Sequence, residues 1–139
     1  MKLLLLTLAL VGSSAQLSTQ FGVTGTFKCD LPVKWCVHAR LVERNFFVDD
    51  TIDTYGAKCF QGISEERYSL DGHQYKDIFD TEYTIQLVIS HNCSNHGIIR
   101  SFMSRERAVS PQKKDYRFMA DYTLSSEGGL GTPASDFFN

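Results

Sequence analysis

The chain has 139 residues, 14 Lys+Arg against 16 Asp+Glu, and a hydrophobic share of 42%. That length suits one domain of ordinary size. The net charge of -2 excludes a protein that holds nucleic acid by bulk positive charge, and ten Phe with six Tyr exclude a disordered chain.

In chain order, Met1-Lys2 is a short positive start, Leu3 to Val11 is apolar but for Thr7, and Ser13-Ser14-Ala15 supplies small residues before a cleavage point. This pattern predicts a secretory signal peptide over residues 1–15. The apolar run falls well short of the roughly 20 residues a helix needs to cross a bilayer, and no later run is longer, so the chain is expected not to span a membrane. The next segments alternate with a period of two. Val37, Ala39 and Leu41 alternate with His38, Arg40 and Val42; Tyr83, Ile85, Leu87 and Ile89 with Thr84, Gln86, Val88 and Ser90; Tyr116, Phe118, Ala120, Tyr122 and Leu124 with Arg117, Met119, Asp121 and Thr123. One apolar face per strand is the signature of antiparallel sheets over a shared core. Further strands are expected at Gly22 to Cys29, Arg67 to Leu70 and Ile98 to Ser104. Turn signals separate them at Asp30-Leu31-Pro32, Asp49-Asp50-Thr51, Asp71-Gly72, Asn95-His96-Gly97 and Ser110-Pro111, and Tyr75 to Phe79 suits a turn of helix. The stretch 45–66 reads as an irregular loop. The expected fold is therefore all-β: an antiparallel, immunoglobulin-like β-sandwich of about seven strands over residues 16–124. From Ser125 to Asn139 the Gly, Ser and Pro content predicts a flexible tail.

Export changes the meaning of the cysteines. Cys29, Cys36, Cys59 and Cys93 are an even set with no Cys-x-x-Cys spacing, which predicts disulfides in one of three pairings. His91, Cys93 and His96 form the one metal-like group, and oxidation of Cys93 leaves it two imidazoles. No metal or cofactor is expected. Asn92-Cys93-Ser94 is an N-glycosylation sequon whose use at Asn92 competes with disulfide closure. No nucleophile elbow, zinc-protease helix, phosphate loop or dinucleotide fingerprint occurs. His73 with Asp77 is the nearest approach to an acid-base pair, a chance spacing in a loop-like stretch.

Charge is divided along the chain. Residues 43–82 hold ten acids and four bases, whereas residues 100–117 hold six bases and two acids. Arg105, Arg107, Lys113 and Lys114 are expected on one exposed connection before the last strand, where they suit an anionic lipid, a glycosaminoglycan or an acidic receptor. Asp49, Asp50 and Asp53 lack the spacing of a calcium loop and are read as loop solvation.

The residues also carry a resemblance. Gly22-Val23-Thr24-Gly25-Thr26-Phe27-Lys28-Cys29-Asp30, then Pro32-Val33-Lys34, then Val37-x-Ala39-x-Leu41-x-Glu43, and finally Ile85-x-Leu87-x-Ile89-x-His91-Asn92-Cys93 resemble the transthyretin-like family of secreted nematode proteins. The likeness covers residues 22 to about 124 and is that of a divergent member. Tyr55 to Ile63 lacks the family's Thr-Asp-x-x-Gly-x-Phe turn, and Trp35-Cys36 stands where small residues are usual. It implies a small extracellular sandwich of the prealbumin kind, with Cys29 joined to Cys93 and hence Cys36 to Cys59. Hydrolases of the same fold use histidines, an arginine and a terminal Tyr-Arg-Gly-Ser; here Tyr116-Arg117 is followed by Phe118-Met119, so the resemblance implies no such activity. Together these readings predict a secreted, non-catalytic binding protein. Its partner is expected to be an extracellular protein or anionic cell surface; the alternative is a carrier of a small apolar ligand in an oligomeric channel.

Overall fold

The computed structural model describes residues 16–77 and 81–130. The expected signal peptide lies outside the described residues, as does the end of the expected tail, 131–139. Among the described residues ten strands follow one another: β1 Gln16–Lys28, β2 Trp35–Glu43, β3 Asp50–Phe60, β4 Glu65–Asp77, β5 Tyr83–His91, β6 Arg100–Met103, β7 Arg107–Val109, β8 Asp115–Met119, β9 Tyr122–Thr123 and β10 Gly129–Leu130. They form two sheets of a sandwich. The first runs β4-β1-β8, with β9 also on β1; the second runs β10-β6-β5-β2-β3, with β7 also on β5. All pairs are antiparallel except β1 with β8 and β1 with β9, which are parallel.

The alternation of the sequence builds the space between the sheets. Phe21, Val23 and Phe27 of β1 face Trp35, Val37, Ala39 and Leu41 of β2 and Tyr83, Ile85, Leu87 and Ile89 of β5, all buried in one core. Aromatic rings tie the layers: Phe27 of β1 meets Tyr55 of β3 edge-on at 5.9 Å and Phe21 of β1 meets Tyr83 of β5 edge-on at 5.1 Å, both within the range of favourable ring pairs. Trp35, the single tryptophan, is buried and donates from Nε1 to the Ile63 carbonyl at 2.7 Å.

Four sequence expectations are corrected here. The supposed loop 45–66 contains β3, an edge strand in which Tyr55 alone is buried, so little alternation marks it. Asp71-Gly72 is not a turn: both residues lie mid-strand in β4, paired with Gly22 and Phe21. Gly72 is there for space, since a Cβ on it would stand 2.6 Å from the Ile52 carbonyl oxygen where β3 crosses β4. Tyr75, expected to open a helical turn, is also in β4, where the ladder to β1 claims its backbone; residues 78 and 79 are outside the described residues. Finally, regular structure continues past Leu124 through a 3-10 turn, Leu124–Ser126, to β10, whose backbone pairs with Ser101 and Arg100. The expected boundary of the tail ignored this pairing.

Candidate binding surfaces

The disulfides fasten one end of the sandwich. Cys29, just after β1, joins Cys93, just after β5, and so links the two sheets; Cys36 at the start of β2 joins its ladder neighbour Cys59 near the end of β3. Beside them the sequon residue Asn92 is structural: its Oδ1 accepts the Cys36 N–H at 2.6 Å and its own N–H donates to the Cys36 carbonyl at 3.2 Å. Ser94, buried, donates from Oγ to the Ile98 carbonyl.

The opposite end is held without sulfur. Glu43, 1% exposed at the end of β2, places Oε1 2.7 Å from Lys76 Nζ and accepts Gln74 Nε2 on Oε2 at 2.7 Å. Lys76 and Gln74 belong to β4, so a buried carboxylate bridges the sheets. A charge there is tolerable because the Lys76 ammonium beside Oε1 compensates it and Gln74 bonds Oε2. The same Gln74 Nε2 reaches Asp50 Oδ2, which also accepts Asn45 Nδ2 at 2.7 Å. Arg44 pairs through Nε with Asp49 Oδ1 at 2.9 Å, donates to Gln86 Oε1, and its N–H donates to the Thr84 carbonyl. These bonds fix both feet of the β2–β3 connection.

Its tip is apolar. Phe46, Phe47 and Val48 are 94%, 91% and 74% exposed, with the two rings edge-on at 4.9 Å. Sequence reading by alternation missed this feature because adjacent apolar residues fit neither face of a strand. The available signal was Asn45-Phe46-Phe47-Val48-Asp49, two aromatics between polar turn residues just where the β2 pattern stops.

The four expected basic residues are not on one loop. Arg105 is exposed between β6 and β7. Arg107 lies within β7, its guanidinium 4.2 Å above the Phe118 ring, so it helps cover the core. Strand β7 separates Arg105 from Lys113 and Lys114, which lie on the β7–β8 connection, both exposed. There the backbone is fixed: Thr19 Oγ1 donates to the Lys113 carbonyl and the Gln20 N–H to the Lys114 carbonyl. Thr19 is the ladder partner of Gln74, which touches Glu43, so Lys113 and Lys114 share the end of the sandwich that carries Phe46 and Phe47. Among the described residues neither lysine has an ion-pair partner.

Other expected groups do not converge. Asp49 and Asp50 are bonded as above, while Asp53 accepts the N–H groups of Asp71 and Thr54. His73 and Asp77 are four residues apart on the extended β4, about 13 Å along the strand. His91 is buried and its two nitrogens are engaged: Cys93 N–H donates to Nδ1 at 3.2 Å, so Nε2 carries the proton toward the Glu127 carbonyl at 3.0 Å. Burial holds this imidazole below its ordinary pKa. Among the described residues no cluster of three or more His, Cys, Asp or Glu is placed to hold a metal ion, and no helix is long and apolar enough to cross a membrane. On the outer face of the first sheet Arg117 spans Asp71 at 2.6 Å and Asp115 at 3.2 Å over Gly22. The Gln20 amide and Arg117 hold the Asp71 carboxyl below the usual range.

Fold and cross-links define a disulfide-bonded all-β sandwich domain whose distinctive surface is at its loops. Residues 24–129 match the model of the family described as Caenorhabditis elegans protein of unknown function (DUF870), and the chain belongs to that family. It is similar to the Caenorhabditis elegans protein called Uncharacterized protein B0416.7, with 32% identity over 78 residues, covering 55% of this chain and 58% of that protein. The chain thus matches little more than half the length of that relative. No solved structure matches it.

Proposed function

We propose that the chain is a secreted, non-catalytic binding domain, an extracellular or cell-surface adaptor or effector that attaches to an anionic surface through its basic residues. The observation that carries this is the state of Lys113 and Lys114. Their backbones are fixed and no carboxylate neutralises them among the described residues, so two uncompensated cations lie at one end, Lys113 with its ammonium 5.4 Å over the Tyr116 ring. Exposed Arg105 adds to them, whereas Arg107 is committed to Phe118. Two disulfides are consistent with an extracellular setting, and an all-β sandwich is the fold that the sequence resemblance to transthyretin-like proteins implies. The test is attachment of the purified oxidised protein to cell surfaces across a salt series. Arg105→Ser/Lys113→Ser/Lys114→Ser is expected to weaken attachment several-fold, and the wild-type protein to lose the difference as salt rises. Attachment unchanged by the triple substitution removes the basic residues from the account. Arg107 is left in place in this variant because its loss would disturb packing.

A further inference from the structure

We propose that the Phe46-Phe47-Val48 tip inserts into the interfacial layer of an anionic phospholipid bilayer, with Lys113 and Lys114 resting on the headgroups beside it. This rests on the binding reading above and names the surface. The tip presents three adjacent exposed apolar side chains, two of them aromatic, a feature that soluble domains rarely leave without a use. It is not a loose loop: the Arg44 to Asp49 ion pair and the Asn45 to Asp50 hydrogen bond hold its feet, so little ordering is needed when the rings are buried. Two rings and a valine offer about 500 Å² of contact, well below the roughly 800 Å² per partner of a stable protein interface. A bilayer asks for no such area and no matching pocket, because lipids close around any projection. Charge agrees with an anionic leaflet. Of the acids nearest the tip, Asp49 is neutralised by Arg44 and Asp50 keeps its charge on two neutral amides, while Lys113 and Lys114 at the same end have no ion-pair partner among the described residues and outnumber it. Aromatic side chains lodged at the headgroup boundary with lysines above them are a recognised mode of peripheral attachment.

The experiment is flotation of the oxidised protein with vesicles of phosphatidylcholine alone or mixed with phosphatidylserine. Wild type is expected to float with the mixed vesicles. Phe46→Ser/Phe47→Ser is expected to weaken binding about tenfold or more, since each ring removed from apolar surroundings counts for at least that much in partition. Lys113→Ser/Lys114→Ser is expected to abolish the preference for phosphatidylserine. The indole introduced by Phe47→Trp is expected to shift its emission to the blue on vesicles, a reading independent of weak flotation. The proposal is overturned if wild type floats with neither vesicle, if the serine pair floats as wild type does, or if the emission stays unchanged. Attachment to cells without attachment to vesicles overturns the bilayer and leaves the proposed function standing; attachment to neither overturns both. Self-association lost in the serine pair, with no flotation, assigns the tip to a second copy instead.

Discussion

His91 shows how one residue sets a condition on the whole domain. Its Nδ1 accepts from Cys93 and its Nε2 donates to Glu127, so the folded chain needs the neutral ring; burial first, and the Arg100 charge second, oppose a second proton, and the Phe102 ring covers its side. The folded pKa lies below the ordinary value of about 6.5 that the unfolded chain retains. Stability from this residue is therefore complete above that value and is lost as the pH falls through it, by up to about 1.4 kcal/mol per pH unit. Denaturant melts near neutrality and about one to two units lower are expected to show this loss in the wild type, and His91→Gln is expected to lack it. The sequence shows His91 as the last inward residue after Ile85, Leu87 and Ile89, and alternation makes its burial legible. It does not show the Glu127 carbonyl, because that contact joins residues 36 positions apart. Phe46 and Phe47 were illegible for a different reason: hydrophobicity in a sequence signals burial, and here it marks exposure.

At the scale of elements, the central strands were legible and the edges were not. β2 and β5 are covered on both sides by neighbours, so alternating apolar residues are a requirement of their position. β3 has β2 on one side only, its register to β2 shifts twice, and its residues face water along much of its length. No periodic signal is needed there, and backbone pairing supplies the order. β4 hides its centre behind Asp71-Gly72, whose glycine serves the close approach to Ile52. Gly72→Val is expected to cost about 1–3 kcal/mol by forcing the β3–β4 crossing apart. Gly56→Ala in β3 meets nothing within 4 Å and is expected to be neutral or slightly stabilising. Equal destabilisation by the two, in urea melts, contradicts the crossing as the reason for Gly72. The binding residues show the same divide: Lys113 and Lys114 were found as charges, but β7, a three-residue strand, broke the single basic connection expected from them.

At the scale of the molecule, the two ends of the sandwich are closed by different means. On the chain-entropy model the 64-residue loop of Cys29–Cys93 contributes about 4 kcal/mol and the 23-residue loop of Cys36–Cys59 about 3 kcal/mol. Both act at the end away from Phe46 and Phe47, where Glu43, Lys76 and Gln74 do the closing. Fluctuations that part the sheets are thereby confined to one pole. Amide hydrogens of Arg44, Thr84 and Gln20 are expected to exchange with deuterium sooner than those of Cys29 and Asn92, and a reducing agent to erase most of that gradient. The region that would meet a target is then the one that yields first, while the sulfur-locked pole keeps the register of both layers.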